Sequence, residues 1–386
     1  MYNRQIAGLE PSRSMTVMAK AKKMEALDPA IIDLAGGEPD FPTPAPICRE
    51  MFRQVEQGYT HYTVGPGLPA LRTRIAEKLL QENGCAYDPE GIIVTPGAKY
   101  AIYLAVRTLL NPGDRAMYLT PAWVSYPSIV AAAGGVPVPV ALKFEENYRI
   151  NPESLERAWT PGTRLLIINY PNNPTGRLLT KAEADVLRDF LLRHPEIYVL
   201  SDEIYERIVF DGAENHSLAA DRELLSRVVT ANGFSKSAAM TGWRLGYLAA
   251  ETDLAKQSYK LFQHTISCVS GFIQKAGVTA LDCREETESM RRRYEERRNF
   301  FIAGLNAVRG VTCVPPEGAF YAWAAFDLPG LDSEGVCEFL LQEAKVVGVP
   351  GVSYGETRRP YIRFSFAADD ASLNRAVEQI RRVMPG

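Results

Sequence analysis

Lys236 lies in the run Asn232-Gly233-Phe234-Ser235-Lys236-Ser237, and Arg244 follows within Met240-Thr241-Gly242-Trp243-Arg244-Leu245-Gly246-Tyr247. A lysine becomes useful to chemistry when it can shed its charge and act as an amine. An arginine stays charged and can hold an anionic cofactor tail beside it. The pair points to an imine-forming lysine next to a phosphate clamp. Lysines are common, so this reading depends on what the rest of the chain sets around the pair.

Other runs offer matching parts. Gly97-Ala98-Lys99 stands between a strand-like run and a helix start, where free N–H groups and the helix dipole suit a phosphate. It is neither a P-loop nor a GxGxxG turn, and a plain tight turn would also explain it. Trp123 offers a broad face for a planar heteroaromatic ring, or a core aromatic. Tyr170-Pro171-Asn172-Asn173-Pro174-Thr175-Gly176 forms a rigid turn that could aim an amide at a ring hydroxyl. Turn formation accounts for its Pro and Gly, less easily for the paired Asn. Asp202 can pair with a protonated pyridine nitrogen, or cap a helix. Tyr205 could reach the same ring through its hydroxyl. Arg363 sits in an otherwise apolar strand-like run, where a substrate carboxylate or an internal salt bridge would satisfy it.

The elements that must position these groups are legible as alternating runs. Ile92–Thr95, Ala116–Leu119, Leu165–Ile168, Ile197–Leu200 and Val228–Thr230 read as short buried strands, with a helical run from Ala98 to Leu110. Each strand candidate is followed by one of the distinctive clusters. Such alternation predicts an α/β fold with a mostly parallel sheet buried on both faces. Ligands in such sheets bind outside the carboxyl ends of the strands. The last hundred residues differ. Ser289 to Leu305 reads as a long charged helix whose arginines interleave with Glu295 and Glu296, which predicts a solvated face over a nucleic-acid surface. Gly318–Trp323 and Tyr361–Phe366 read as strands of a second, smaller α+β unit. The expected division is an N-terminal segment over 1–45 packing with the small domain, a large cofactor-binding domain over 46–285, and a small domain over 286–386.

Composition narrows the class. The 386 residues are 46% hydrophobic and 23% charged with a net charge of -3, an ordinary balance without a strong draw to nucleic acid or anionic membrane. No apolar run reaches the roughly 20 residues of a membrane helix, and the N-terminus does not read as a signal peptide. The 6 cysteines form no CxxC pair and the 4 histidines show no metal spacing, so reduced cytoplasmic thiols and no metal site are expected.

The order along the chain is more specific than any single part: phosphate turn, aromatic plate, amide, acid, tyrosine, lysine, arginine, then a later buried arginine. Pyridoxal 5'-phosphate has all of these needs. On Gly36–Phe41, His61-Tyr62-Thr63, Trp123–Pro127, Pro171–Gly176, Ser201–Tyr205, Asn232–Tyr247, Gly318–Tyr321 and Ile362–Ser365, the chain resembles the class I/II, fold-type-I aminotransferases. The likeness is strongest to the bacterial aspartate/prephenate branch. It implies a large domain with a mostly parallel sheet of the seven-stranded type flanked by helices, plus the small domain.

The resemblance also implies roles. Lys236 looks like the Schiff-base lysine and proton shuttle, Asp202 like the pyridinium partner, and Asn173 with Tyr205 like the pair on the ring 3'-oxygen. Trp123 looks like the stacking plate. Gly97, Ala98, Lys99, Ser235 and Arg244 look like the phosphate site. Tyr62 resembles the tyrosine that reaches the neighbouring subunit's phosphate, which implies a homodimer. Gly37, Asn173 and Arg363 resemble the groups that hold the substrate α-carboxylate. The implied activity is ping-pong transfer of an amino group from an L-amino acid to a 2-oxo acid. A carbon–sulfur β-lyase would use the same cofactor groups. The family pattern begins too early to leave room for the winged helix of a transcription regulator. Some dicarboxylate-using relatives carry a basic residue in the N-terminal segment; this chain has Glu10 there, with Arg13 close by and out of register. Tyr2, Met15 and Met18 would suit an aromatic or aliphatic substrate side chain, or core packing. The donor stays open.

Overall fold

The computed structural model describes residues 4–11, 13–26 and 28–384, without the side chains of residues 4, 5, 13–15, 18, 20 and 25. Tyr2 and the side chains of Arg13, Met15 and Met18 therefore lie outside the described residues.

Seven strands form the central sheet: β1 (Ile92–Thr95), β2 (Arg115–Thr120), β3 (Val136–Ala141), β4 (Thr163–Asn169), β5 (Tyr198–Asp202), β6 (Val228–Gly233) and β7 (Gly246–Ala249). Their spatial order is β1-β7-β6-β5-β4-β2-β3. Every pair from β6 to β3 is parallel, and β7 alone runs against its two neighbours. Every residue of β1, β5, β6 and β7 is buried save Tyr198, as continuous Val/Ile/Leu/Ala runs require when helices cover both faces. Each fully buried Leu or Ile contributes about 1.5–3 kcal/mol, so the layer has little freedom to shift.

Register brings the chemistry together. Asn169 at the end of β4 pairs with Asp202 at the end of β5, and Asp202 pairs with Ala231 on β6. The lysine loop leaves β6 directly after Gly233 and returns as β7 from Gly246. Gly97 turns the chain between β1 and the helix Ala98–Leu109 with a φ of 87°. That left-handed conformation is open to glycine at little cost.

Two strands escaped the sequence reading. β3 carries Pro137 and Pro139, which blunt the strand signal; proline is tolerated there because β3 is the sheet edge. β7 is hidden inside the run that carries Arg244.

A second sheet holds β8 (Val311–Cys313), β9 (Tyr321–Phe326), β10 (Val349–Pro350) and β11 (Tyr361–Ser365), in the order β10-β11-β9-β8, all antiparallel. Two short N-terminal residues join this region: Ile32 and Asp33 pair in parallel with Val346 and Val347. Beyond them the segment over 36–43 crosses to the lysine loop. There Thr43 Oγ1 donates to the Ala239 carbonyl (2.6 Å), Trp243 Nε1 donates to Thr43 Oγ1 (3.0 Å), and Thr241 Oγ1 donates to Glu38 (3.0 Å).

The helix Arg284–Asn306 has the expected solvated face at Arg292 and Glu296, and corrects it at two of its arginines. Arg297 and Arg298 are each 5% exposed. Arg297 pairs with Asp40 (2.9 Å) and Asp370 (3.2 Å), and Arg298 with Asp211 (2.6 Å). These carboxylates lie far away in sequence, so local charge interleaving gave no sign of them. The stripe Thr287, Met290, Tyr294, Phe301, Ile302, Leu305 carries both arginines inward at helical spacing. All six cysteines are free thiols. Among the described residues no helix is long and apolar enough to cross a membrane, and no group of three or more His, Cys, Asp or Glu could hold a metal ion.

Candidate active site

A cavity of about 460 Å³ opens at the carboxyl ends of β4, β5 and β6. Its wall includes Gly37, Ala98, Lys99, Trp123, Asn173, Asp202, Tyr205, Ser235, Lys236, Arg244 and Arg363. Eleven of the residues singled out in the sequence thus share one chamber. Gly97 stands immediately behind it: a Cβ there would meet Arg244 Nη2 at 2.5 Å. Tyr62 does not line the cavity of its own chain, and its side chain is 92% exposed.

Lys236 sits on the loop between β6 and β7 and donates from Nζ to the Gly37 carbonyl. Burial pushes its ammonium down from 10.5 to about 8. Glu38 and Asp202 oppose that shift, while Arg363 and Arg244 add to it. A half-buried cation with two guanidinium neighbours gives up its proton readily. Tyr205 and Phe320 flank the amine, each ring centroid 5.9 Å away.

Asp202 ends β5 and is 5% exposed. Burial raises its carboxyl to about 6, against the pull of hydrogen bonds from the Tyr126 hydroxyl (2.7 Å) and the Ile204 amide (3.3 Å). Asn169 ties the neighbouring strand to the same point, donating from Nδ2 to the Asp202 carbonyl (2.9 Å). Its Oδ1 accepts from the Asn173 amide at 2.9 Å, which sets the turn that carries Asn173.

The anion end is built from the helix start and the loop before β7. Arg244 holds a left-handed φ of 54°, uncommon for a side chain of its size. Its Nη1 donates to Thr241 O (2.8 Å), which aims the guanidinium toward Gly97. Lys99 Nζ lies 4.9 Å from the Trp123 ring centre, and burial followed by Arg244 lowers its pKa.

Arg363 on β11 is 4% exposed. It donates to Asn173 Oδ1 (3.1 Å) and to the carbonyls of Ala35 (2.7 Å) and Gly36 (3.3 Å). Among the described residues its Nε has no hydrogen-bond partner and no carboxylate pairs with it. A buried guanidinium in that condition has hydrogen-bonding capacity free for an external carboxylate.

The residues fit pyridoxal phosphate. The chamber offers an acid at one end, an aromatic plate, an amine with lowered affinity for its proton, and a cationic helix start whose glycine leaves no room for a Cβ. Several contributors were not singled out beforehand: Tyr126, Asn169, Tyr321, Glu38, Ser125 and Thr241. Tyr126 stands three residues after Trp123, in the first turn of the helix Ser125–Ala132, and the two rings meet edge to face. The others lay in runs that core packing or turns explained equally well.

Comparison with known proteins agrees with this chemistry. Residues 29–380 match the family "Aminotransferase class I and II". An aspartate aminotransferase of Geobacillus stearothermophilus is 40% identical, covering 99% of this chain and 98% of the relative. An aspartate/prephenate aminotransferase of Cereibacter sphaeroides is 37% identical, covering 99% and 98%. The crystal structure of an aromatic aminotransferase from Pyrococcus horikoshii superposes with a TM-score of 0.89 at 38% identity, covering 94% of this chain and 98% of that one. The chain belongs to the class I and II aminotransferases. It is a pyridoxal-phosphate-dependent transferase, moving an amino group from an amino acid to a 2-oxo acid.

Proposed function

We propose that Lys236 is the lysine that carries the cofactor and moves the proton, and that the cavity residues divide the remaining work around it. The observation that carries this reading is a half-buried amine, lowered to about 8, in one chamber with a buried arginine that has no carboxylate partner among the described residues. When bound, pyridoxal phosphate supplies an electron sink that stabilises negative charge at the substrate Cα. Asp202 would keep a proton on the ring nitrogen. Asn173 and Tyr205 would bind the ring oxygen, and Trp123 would offer a plate to the ring. Gly97, Ala98, Lys99, Ser235 and Arg244 would hold the phosphate. Arg363, with Gly37 and Asn173, holds the substrate α-carboxylate in a bidentate grip. The neutral Nζ of Lys236 would take the proton from the substrate Cα and hold it for return, for the amino donor and for the incoming oxo acid alike.

The same reading includes a homodimer. Tyr62, Phe52 and Val64 are 92%, 63% and 57% exposed, an apolar surface that a second copy would cover, with Tyr62 reaching its partner's phosphate site. It also keeps 1–45 with the small domain, 46–285 as the large domain and 286–386 as the small domain, in a cytoplasmic enzyme.

The test is a half-reaction screen. Single amino acids are mixed with the loaded enzyme and the visible band of the cofactor is followed, with and without 2-oxoglutarate. We expect one stoichiometric spectral change per amino donor and turnover only when the acceptor is present. Sustained release of pyruvate and ammonia from cystathionine without any acceptor would overturn the reading in favour of a β-lyase.

A further inference from the structure

We propose that Tyr321 is a positioning residue that couples the two halves of the site: its hydroxyl donates to Tyr205, and its ring carries Arg363. The proposal rests on the roles given above to Tyr205 and Arg363.

Tyr321 begins β9 and is 1% exposed, yet it reaches the cavity wall. In the β9–β11 ladder Trp323 stands opposite Arg363, so Tyr321, two residues earlier, is the diagonal neighbour of Arg363 on the same face. The guanidinium carbon lies 4.2 Å from the centre of the Tyr321 ring. Arg363 thus rests on a π-face that fixes its plane while its Nε has no partner among the described residues. At the other end, the Tyr321 and Tyr205 hydroxyl oxygens are 2.7 Å apart. The Tyr321 hydroxyl also stands 3.2 Å from where a Cβ on Gly37 would sit, so it closes the floor beside that glycine.

The direction of the phenol–phenol bond follows from the hydrogens available. Each phenol carries one hydrogen. With Tyr205 giving its own to the ring oxygen, the hydrogen of the 2.7 Å contact comes from Tyr321. A phenol that accepts a hydrogen bond is itself a stronger donor. Tyr321 thereby strengthens the bond from Tyr205 to an anionic ring oxygen. Asp202, Lys236 and Tyr126 also face Tyr205, and Tyr294, Tyr354 and Arg363 face Tyr321; removing one hydroxyl leaves all of them in place.

The experiment compares Tyr321→Phe, Tyr321→Leu and Tyr205→Phe in the loaded enzyme. Thermal melts check folding, spectrophotometric titration gives the midpoint of the visible cofactor band, and steady-state kinetics gives KM for the amino donor. Phe keeps the ring under Arg363 and loses only the donor. We expect Tyr321→Phe to raise the midpoint by about half a unit to one unit and to leave KM within about twofold. Tyr321→Leu should raise KM several-fold as well, because the platform is gone. A midpoint that stays put or falls in Tyr321→Phe, while Tyr205→Phe raises it, overturns the proposal and leaves the role of Tyr205 standing. If Tyr205→Phe also leaves the midpoint in place, the role of Tyr205 falls and the proposal falls with it.

Discussion

The Tyr126 hydroxyl donates to the Oδ2 of Asp202 across 2.7 Å, and both side chains are buried. This bond is the largest influence holding the Asp202 carboxyl down against a burial effect that raises it to about 6. Without the phenol, the carboxylate would be protonated at a higher pH and would grip a protonated ring nitrogen less well.

Tyr126→Phe removes that donor and little volume. A hydrogen bond to a charged group is worth about 1.5–3 kcal/mol, so cofactor affinity should fall by about one order of magnitude or more at neutral pH. The loss should deepen as pH drops, since the variant's carboxyl begins to take up its proton earlier. Equilibrium titration of the apoprotein with pyridoxal phosphate between pH 5.5 and 8 measures this. An affinity and a pH profile equal to the parent's would contradict it.

Arg363→Lys keeps the charge but loses the planar fork. The contacts from Nη1 to Asn173 and Nη2 to the Ala35 and Gly36 carbonyls cannot all be reproduced by one ammonium. We expect kcat/KM to fall by about ten- to a hundred-fold, by similar factors for every amino donor, because the α-carboxylate is common to all. Donor-dependent losses would place Arg363 on the side chain of the substrate instead.

The lowered proton affinity of Lys236 has a direction in pH. With a value of about 8 in place of 10.5, the neutral amine at pH 7.5 amounts to about a quarter of the population, against about a thousandth for an ordinary lysine. Capture of the cofactor by the apoprotein needs that amine. Its rate should rise about tenfold per pH unit below about 8 and level off above. Stopped-flow absorbance from pH 6.5 to 9.5 gives the profile; a rise that continues unchanged to pH 9.5 would contradict the assignment. The unfolded chain binds this proton more tightly, so the same group makes the apoprotein more stable as pH rises from about 8 to 10.5.

Lys236, Asp202 and Asn173 were readable in the sequence because each follows a short buried strand, and strand ends in a parallel sheet share one edge. Arg363 was readable because a charge in an apolar strand needs an external or internal partner. Residues acting through a neighbour were hidden. Tyr126 and Tyr321 stand in aromatic-rich runs where packing is a sufficient reason for a tyrosine, and their partners, Asp202 and Tyr205, are far away in sequence. Arg297 and Arg298 were misjudged for the same reason: nearby glutamates offered a local explanation, while Asp40, Asp211 and Asp370 were out of sequence range. β3 was masked by its prolines and β7 by the functional motif it completes.

The central claim is that the Lys236 amine performs the proton transfer. Lys236→Ala, loaded with pyridoxal phosphate and given an amino donor with 2-oxoglutarate, tests it most directly through the rate of glutamate formation. The account predicts that turnover is abolished while the protein still folds and binds the cofactor. Transamination at the parent's rate would contradict it.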